Sequence, residues 1–319
     1  TVVDNELPVI SCQADITGVI ATSAAGAVVN YTAPVGTDNC TGATTALLSG
    51  PASGATFPIG TTTVTYEVTD AANNSVQCSF DVTVVGVAPQ IVCPANIVEN
   101  NTPGTCGSIV SFNATDIVGI PASTITYSIA SGSVFNVGTV SVIATATNAV
   151  GSSSCTFDVT VTDNEAPATP TLADVTGECS ATATAPTTSD NCAGTITGTT
   201  TDPLSYTAQG THVIAWTFDD GNGNAITVNQ NVIVDDVTPP TAVAKNISVT
   251  LVNGVAGIVA TDVEDGSTDN CGVDFGLSSV SPNTFGCFNL GANTVTLTVE
   301  DVNGLSNTTT ATVTVVGAV

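Results

Sequence analysis

The sequence almost entirely lacks basic side chains. Its 319 residues contain Lys245 and His212 against 27 Asp and Glu, which gives a formal net charge of −26. Such a chain cannot neutralise phosphates, so nucleic acid and anionic membrane surfaces are excluded as partners. Divalent cations are the natural counter-charge. The longest apolar runs are far shorter than a bilayer span, and we therefore expect no membrane insertion.

Methionine is absent and aromatic residues make up 4% of the chain, whereas Thr, Val, Ala, Ser and Gly dominate. This composition is β-rich, and no long helical period is visible. The ten cysteines include no C-x-x-C pair. Their pattern argues against zinc or redox sites and for disulfides in an oxidising, extracellular setting. Without a signal peptide or an initiator Met, we expect a piece of a mature, processed chain.

An internal repeat organises the chain. Its clearest copy is Thr217–Pro240, which reads as strand, acidic turn, strand and an Asp-Asp linker closed by two prolines. Weaker copies recur at Thr69–Pro89, Thr147–Pro167 and Glu300–Val319, at intervals of about 75–80 residues. The predicted repeats, numbered one to four, are residues 4–86, 87–162, 163–235 and 236–316. Because both ends cut through the period, we expect the natural protein to continue in both directions.

Each repeat contains alternating strand segments between Gly, Pro and Asn-Asp turns. Examples are Thr61–Thr69, Thr139–Thr147, Thr211–Phe218 and Asn293–Val299. Roughly seven such strands per repeat predict an all-β fold, a tandem array of four small Ig-like β-sandwich repeats. A core of that size is marginal, and disulfides would help to stabilise it.

Several motifs of the first two repeats resemble a known repeat family. They are Phe57-Pro58-Ile59-Gly60 before a strand, Thr69-Asp70-Ala71-Ala72-Asn73-Asn74, Cys78–Val84 (CSFDVTV) and Ile91-Val92-Cys93-Pro94. This pattern resembles the hyalin (HYR) repeat. Repeats three and four resemble variants in giant surface adhesins of gliding Bacteroidota that the type IX system exports. The resemblance implies an extracellular stalk or adhesion module and names no ligand.

Comparison of the repeats predicts the disulfide pairs. Repeats one and two each carry a Cys near the first strand and one in the last strand, which predicts Cys12–Cys78 and Cys93–Cys155. Repeat four has Ala244 and Thr309 at these two places and lacks both partners. Within repeat three we expect Cys179–Cys192, and within repeat four Cys271–Cys287, at roughly 3 kcal/mol for each short loop.

Cys40 and Cys106 remain without a predicted partner. They occupy complementary positions in neighbouring repeats, where an intrachain bond would need a sharp fold-back. One hypothesis is that Cys40 of one chain bonds Cys106 of another. The alternatives are two buried free thiols or a reshuffled pairing.

Acidic clusters recur at three places in a repeat, namely the entry linker, the loop before the middle cysteine, and the last hairpin. The linker residues are Asp4, Asn5, Glu6, Asp163, Asn164, Glu165, Asp235 and Asp236. The loop residues are Asp38, Asn39, Asp190, Asn191, Asp269 and Asn270. The hairpin residues are Asp70, Asn73, Asn74, Asp219, Asp220, Asn222, Asn224, Asp301 and Asn303.

Repeat two lacks all three clusters. Its linker is Gly86-Val87-Ala88-Pro89, its loop is Gly119-Ile120-Pro121 and its hairpin is Asn148–Gly151. Because these elements can converge at one end of an Ig-like sandwich, joint presence or absence suggests one shared site. Hard oxygen ligands without His or Cys suit Ca²⁺. We expect calcium in repeats one, three and four and a hinge between repeats one and two. The alternative is that Asp, Asn and Gly only form turns.

No catalytic constellation is apparent. His212 has no nucleophile that can be placed beside it, and Trp216 is expected as a core anchor of repeat three. The preferred interpretation is therefore a non-enzymatic stalk or shaft of a surface adhesin or filament. One alternative is a carbohydrate- or ligand-binding module. Another is a filament subunit that exchanges strands at Thr1–Val3 and Val313–Val319, so identical chains and further repeats are the expected partners.

Overall fold

The computed structural model describes residues 3–317, so Thr1, Val2, Ala318 and Val319 lie outside the described residues. The chain divides into two compact units that meet at Asp163 and Asn164 in the sequence. The first unit holds repeats one and two, and the second holds repeats three and four. Within residues 3–317 the helical elements are α1 (Ala260–Val263) and one 3-10 turn (Cys287–Asn289). The predicted all-β fold is confirmed.

The first unit contains fourteen strands. Those of repeat one are β1 (Ile16–Ile20), β2 (Ala27–Val28), β3 (Thr44–Ser49), β4 (Thr56–Phe57), β5 (Gly60–Thr69) and β6 (Ser75–Val85). Those of repeat two are β7 (Ile91–Val92), β8 (Ile97–Asn100), β9 (Gly107–Val110), β10 (Thr115–Asp116), β11 (Thr124–Tyr127), β12 (Ser133–Asn136), β13 (Gly138–Thr147) and β14 (Ser152–Thr162).

The second unit contains thirteen strands. Those of repeat three are β15 (Val175–Gly177), β16 (Ala181–Thr182), β17 (Thr187–Asp190), β18 (Gly194–Thr197), β19 (Ser205–Tyr206), β20 (Gly210–Asp219) and β21 (Ala225–Val234). Those of repeat four are β22 (Ile247–Thr250), β23 (Val255–Gly257), β24 (Val273–Ser281), β25 (Thr284–Gly286), β26 (Gly291–Asp301) and β27 (Ser306–Val316).

All four repeats share one sheet plan. The last two strands form a long antiparallel hairpin, and a short early strand (β1, β8, β15 or β22) pairs parallel to the last strand. The main sheets have the orders β1-β6-β5-β3, β11-β13-β14-β8, β15-β21-β20 and β22-β27-β26-β24. Small two-stranded sheets such as β2-β4, β9-β12, β16-β19 and β23-β25 complete each repeat. The four strand segments named from the sequence lie in β5, β13, β20 and β26.

Strict alternation along the long hairpin forms each core. In β5 the inward side chains are Val64, Tyr66 and Val68, and in β6 they are Phe80, Val82 and Val84, all buried. The outward positions carry hydroxyls and acids that pair across the strands, as in Thr61 with Thr83 at 3.0 Å and Thr63 with Asp81 at 2.6 Å. A period of two with β-branched residues on both faces favours a strand over a helix.

Repeat three contains a polar exception in this core. Trp216 is 1% exposed and lies where Tyr66 lies in repeat one. Its indole N–H donates a hydrogen bond of 2.9 Å to Oε1 of Gln230, whose own amide donates 2.9 Å to the carbonyl of Ala173. Gln230 stands at the position of Phe80, because a buried indole N–H needs an acceptor. Trp216 is therefore the core anchor that the sequence predicts.

His212 lies on the same strand face as Trp216. Its ring stacks on Tyr206 with centroids 4.3 Å apart, and Nε2 is 2.8 Å from the carbonyl oxygen of Ala208. His212 therefore has a packing role at the edge of the core.

Two of the predicted disulfides are present. Cys12 bonds Cys78 and Cys93 bonds Cys155, each tying a segment near the first strands to the last strand of its repeat. Both bonds close long sequence separations, 66 and 62 residues. In the chain-entropy model a loop of that length contributes about 4 kcal/mol of stability.

The other cysteine predictions need correction. Cys179 bonds Cys271, so the predicted Cys179–Cys192 and Cys271–Cys287 pairs do not form. Cys106 is in a disulfide, and so is Cys192. Because Cys40 is free, this overturns both the predicted cross-link between Cys40 of one chain and Cys106 of another and the alternative of a free Cys106 thiol. Cys287 is also free, and both free thiols are exposed. The predictions pair cysteines within one repeat, whereas the bond between Cys179 and Cys271 joins the turn after β15 to the loop of the next repeat.

The terminal strand hypothesis is tested only in part. Residues 1, 2, 318 and 319 of the proposed exchange segments lie outside the described residues. Val313–Val316 belongs to β27, which pairs with β22 and β26 of the same chain. No helix within the described range 3–317 is long and apolar enough to cross a membrane.

Replacing Gln230 with Ala should destabilise repeat three. The buried indole N–H of Trp216 and the carbonyl of Ala173 would lose their partner, and we expect a loss of about 1–3 kcal/mol in the free energy of unfolding. Trp216 is the one tryptophan of the sequence, so its fluorescence in a urea titration reports on this repeat. The exposed neighbour Asn229, replaced with Ala, should change the value by less than about 0.5 kcal/mol. Equal losses in both variants would contradict the assigned role of Gln230.

Candidate metal centre

An aspartate opens the last hairpin of repeats one, three and four. Oδ1 of Asp70 accepts hydrogen bonds from the backbone amides of Ala72 and Asn74, both at 2.8 Å. Asp220 and Asp301 accept the same two bonds, at 2.7 and 3.0 Å and at 2.8 and 2.9 Å. The third residue after each Asp has a positive φ and is Asn73, Gly223 or Gly304. Asn and Gly occur there because other side chains are strained in that conformation.

The second carboxylate oxygen distinguishes the hairpins. Nδ2 of Asn74 donates 2.8 Å to Oδ2 of Asp70, and Nδ2 of Asn224 donates 2.8 Å to Oδ2 of Asp220. The bond from Asn74, with backbone amides, lowers the pKa of Asp70. Burial opposes ionisation of Asp220, yet the bonds from Asn224 and the backbone outweigh it and lower its pKa.

Repeat four lacks that second donor. Leu305 stands where Asn74 and Asn224 stand, four residues after the Asp. As a result Oδ2 of Asp301 has no hydrogen-bond partner among the described residues, although Asp301 is 0% exposed. A buried carboxylate oxygen without a donor is costly, so this atom calls for a cation.

The hairpin contacts the entry linker, as the sequence predicts. In repeat one, Nδ2 of Asn74 lies 3.4 Å from the carbonyl oxygen of Asp4. In repeat four, Nδ2 of Asn303 donates 2.6 Å to Oδ2 of Asp236, which is 8% exposed. Asp236 thus belongs to this end of repeat four, whereas its neighbour Asp235 is exposed.

The Asp-Asn-Cys loop meets the same linker. Its aspartate accepts the amide of the following cysteine, at 2.8 Å from Cys40 to Asp38 and at 2.7 Å from Cys271 to Asp269. One oxygen or sulfur atom from each of Asp4, Asp38 and Cys40 lies within 4.8 Å of the others, and so do those of Asp236, Asp269 and Cys271. Because Cys271 is in a disulfide, the ligand atoms available there are carboxylate oxygens.

Asp269 repeats the pattern of Asp301. Its Oδ2 accepts the amides of Cys271 and Gly272, while Oδ1 is buried without a partner among residues 3–317. The chain has no basic side chain to supply here, since Lys245 lies near Glu264 and helps to lower the pKa of that carboxyl. Burial is the largest single influence and raises the pKa of Glu264. Hydrogen bonds from Ser267 and Gly266, together with the charge of Lys245, outweigh it and lower the pKa. Repeat four therefore gathers Asp236 and Asp269 near the buried Asp301 without a protein cation.

The loop asparagines point to glutamates. Asn39 donates to Glu6, and Nδ2 of Asn191 donates 2.8 Å to Oε2 of Glu165, so both linker glutamates hold their loop. Asn270 instead donates 2.6 Å to Oε2 of Glu178, which precedes Cys179. Sequence reasoning missed Glu178, because it lies outside the three recurring clusters and one repeat earlier than Asn270.

The remaining predicted residues contribute less to the site. Asp219 is exposed and accepts the amide of Gly221 at 2.8 Å, and Asn222 supplies a backbone amide to its own turn. Asn5 is exposed, and Asn73 serves as the left-handed turn residue. Asp190 accepts the amides of Cys192 and Ala193 at 2.7 and 2.9 Å, and Asp163 is buried. Asn164 is exposed.

Repeat two closes the same end without carboxylates of this kind. Nδ2 of Asn148 donates 2.8 Å to the carbonyl of Val87 and 2.9 Å to that of Pro121, so one amide joins hairpin, linker and loop. Ile120 forms a bridge with Val87 and packs against the core of repeat one. This packing opposes the hinge that we expected between repeats one and two.

Repeat two does carry one acid that the sequence reasoning overlooked. Asp116 accepts the hydroxyl of Ser123 and the amides of Gln90, Val118 and Gly119, and these bonds lower its pKa to about 2. The carboxylate is fully engaged by protein donors. Asp116 therefore acts as a turn former, as the alternative to the calcium hypothesis would have it.

Two stretches of the first unit match a known family model. The HYR domain model matches residues 3–84 and 87–161. These two stretches are similar to the HYR domain, and we refer to them below as the two HYR repeats. The strand pairing of the first HYR repeat, with its Asp-rich hairpin and its clamp between Cys12 and Cys78, recurs in the second with Asn148 in place of Asp70.

Two curated relatives align with more of the chain than its first unit. The chain is 33% identical over 297 residues to hyalin of Strongylocentrotus purpuratus, covering 86% of this chain and 24% of that protein. It is 31% identical over 342 residues to hyalin of Lytechinus variegatus, covering 99% of this chain and 63% of that protein. The chain thus spans from about a quarter to under two thirds of the length of these relatives.

Solved structures give weaker likenesses. The protocadherin GammaB4 extracellular domain matches with 13% identity and a TM-score of 0.35, covering 98% of this chain and 67% of that chain. Sidekick-1 immunoglobulin domains 1-5 match with 9% identity and a TM-score of 0.32, covering 98% and 81%. At these TM-scores neither likeness supports an inference about function.

Replacing Asp301 with Asn should stabilise repeat four in metal-free buffer. The new amide could donate to linker and loop carbonyls, as Asn148 does in the second HYR repeat, and the buried charge at this position would be removed. We expect a gain of about 1 kcal/mol in the free energy of unfolding in EDTA, measured by thermal denaturation. The exposed Asp265, replaced with Asn, removes one charge elsewhere in the repeat and should have little effect. A lower melting temperature for Asp301→Asn than for Asp265→Asn would show that the buried carboxylate is satisfied without a cation.

Proposed function

We propose that this chain is a non-enzymatic structural segment, a stalk or shaft, of a long extracellular adhesion protein. Calcium would bind where the entry linker of a repeat meets its Asp-Asn-Cys loop and its last hairpin. The observation that carries the proposal is the pair Asp236 and Asp269, whose ligand atoms lie within 4.8 Å in a chain with a single Lys or Arg. Two carboxylates at that distance, with Asp236 buried and Asp269 half-buried, favour a bound cation.

The extracellular setting is supported by the oxidised cysteines. Three bonds are described, Cys12–Cys78, Cys93–Cys155 and Cys179–Cys271, and structural disulfides persist in oxidising compartments. The HYR repeats and the sea-urchin hyalin relatives support an adhesion-related repeat protein. The setting in a gliding bacterium with type IX export stays a prediction.

The donor set suits calcium better than a transition metal. Asp236, Asp269 and Asp301 would provide carboxylate oxygens in repeat four, and Asp4 and Asp38 would provide them in repeat one. Calcium takes six to eight oxygen ligands, and backbone carbonyls and water would complete the shell. Cys271 is oxidised and Cys40 is a thiol among carboxylates, so neither repeat offers the imidazole or thiolate set that zinc prefers.

Calcium bound at this place would stiffen the junction between repeats, because a carboxylate of the linker would be one of its ligands. Asp236 lies between the last strand of repeat three and the first strand of repeat four, and a metal bound to it and to Asp269 would restrict the linker. Between the two HYR repeats, Ile120 and Asn148 perform the same closure by packing and hydrogen bonds. Joints of both kinds, together with disulfides, would give a series of sandwiches mechanical reach.

The ligand-binding alternative has less support. Binding of a carbohydrate on a sandwich face commonly uses several exposed aromatic rings side by side. Trp216 and Tyr66 are buried in the cores, and Tyr206 stacks on His212. The exposed rings of Phe275 and Phe288 lie on separate elements, β24 and the 3-10 turn. The acids at the linker end mostly accept backbone amides of turns.

Calcium titration tests the metal part of the proposal. We expect calorimetry to detect binding by the wild-type chain, and binding to repeat four to be lost in Asp236→Asn and Asp269→Asn. Asp265→Asn should bind like the wild type, because that exposed carboxylate lies outside the cluster. If the three variants weaken binding equally, the effect is general electrostatics and the site is absent.

Small-angle scattering with and without EDTA tests the mechanical part. Removal of the metal should reduce the mean maximum dimension and broaden the distance distribution, because linkers freed of calcium sample more conformations. The double variant Asp236→Asn/Asp269→Asn should resemble the EDTA state at repeat four even with calcium present. Curves that do not change with EDTA would mean that the acidic clusters only form turns.

A further inference from the structure

The bond between Cys179 and Cys271 defines how one repeat can be locked to the next. Cys179 lies in the turn that follows β15, the short parallel first strand of repeat three. Cys271 lies in the Asp-Asn-Cys loop of repeat four, and the Cα atoms are 5.1 Å apart. Beside the bond, Asn270 donates to Glu178 at 2.6 Å. We call the turn position the sending position and the loop position the receiving position.

Cys40 occupies the receiving position of repeat one. Its amide donates 2.8 Å to Asp38, as the amide of Cys271 donates 2.7 Å to Asp269. Its sulfur lies within 4.8 Å of carboxylate oxygens of Asp4 and Asp38, again as in repeat four. Cys271 is in a disulfide, whereas Cys40 is a free and exposed thiol.

Cys287 occupies the sending position of repeat four from another part of the chain. The turn after β22 is Leu251–Gly254, and Sγ of Cys287 lies 3.9 Å from the carbonyl oxygen of Gly254. β25 brings it there, because Gly286 pairs with Val255 at the start of β23. Cys287 is also free and exposed. The chain therefore presents one unused sending thiol and one unused receiving thiol.

Exposed apolar side chains lie near both thiols. Next to Cys287, Phe288 is fully exposed, and Leu290 and Val252 are exposed by more than half. Next to the Cys40 loop, Leu7 and Val9 are exposed, and Val9 pairs with Thr37, the residue before Asp38. Uncovered apolar groups of this size at two matching places indicate surfaces that another repeat covers.

Cysteines at the described junctions occur in pairs or not at all. Between the two HYR repeats, the turn after β1 contains Ala24 and Ala25, and the receiving loop contains Ile120 and Pro121. Both cysteines are missing there, whereas both are present between repeats three and four. A single cysteine at either position would be a liability for random oxidation, so an unpaired sender and an unpaired receiver imply partners beyond these four repeats.

We propose that Cys287 of one copy of this chain and Cys40 of a second copy form an intermolecular disulfide, which locks the copies head to tail. This inference goes beyond the proposed shaft and does not depend on calcium. The two thiols lose two protons and two electrons, which an external low-molecular-weight disulfide accepts as it is reduced to two thiols. A second copy of this chain offers a partner to both thiols, because each copy carries one thiol of each kind.

Mixing two single-thiol variants tests the pairing. Cys40→Ser retains only Cys287 as a free thiol, and Cys287→Ser retains only Cys40. In oxidised glutathione with EDTA, the mixture should form disulfide dimers on the order of tenfold faster than either variant alone, because only the mixture can make the oriented pair. Peptide mapping without reduction should recover the Cys40–Cys287 link. Equal rates in all three samples, or no dimers at all, would overturn the proposal.

A second variant separates docking from thiol reactivity. Phe288→Ser leaves both thiols in place and removes an exposed side chain, so the fold should be unaffected. It should slow the heterotypic reaction several-fold while the rate of alkylation of Cys287 by a small maleimide stays the same. An unchanged heterotypic rate would show that the apolar surface does not guide the pairing. The wild-type chain should form a ladder of oligomers, and a product limited to symmetric dimers would contradict a head-to-tail lock.

Discussion

The antiparallel pairing of the last two strands is the feature on which every repeat depends. β5, β13 and β20 each have ten residues, and each pairs along its whole length with the following strand. The strands outside the four hairpins are shorter, several of only two residues, and such strands have little independent stability. They are held because the hairpin offers an apolar face, and because a disulfide in each HYR repeat fixes the first segment to the last strand.

The excess of acid would destabilise this small fold if the carboxylates were placed at random. Instead many of them serve as turn formers, since Asp70, Asp220 and Asp301 each accept two backbone amides of a hairpin. Hydrogen bonds to the charged form hold the pKa of Asp70 and of Asp220 below its ordinary value. Where a donor is missing, as at Asp301 and Asp269, the charge has no protein partner among the described residues, and the proposed calcium would replace it.

The junctions between repeats use three interchangeable devices. Asn148 and Ile120 close the junction of the two HYR repeats by hydrogen bonds and packing. Cys179 and Cys271 close the junction between repeats three and four by a covalent bond, and Asp236 and Asp269 lie beside it. The proposed disulfide between Cys287 of one copy and Cys40 of another would close a junction between copies in the same way. Each device acts at the linker, because there a small displacement changes the direction of the following repeat most.

Sequence patterns alone predict the fold class, the long hairpins, two of the disulfides and the convergence of linker, loop and hairpin in repeats one and four. These features follow from alternation along a strand or from comparison between copies, and both can be read along a chain. The remaining contacts depend on tertiary packing. The pairs Cys179–Cys271, Asn270–Glu178 and Gln230–Trp216 could not be predicted, because neither member of a pair carries a sequence signal of the other. The sequence also could not separate Asp236 from Asp235, or reveal that Leu305 leaves Asp301 without a donor, because burial and unpaired atoms depend on how the turns pack in space.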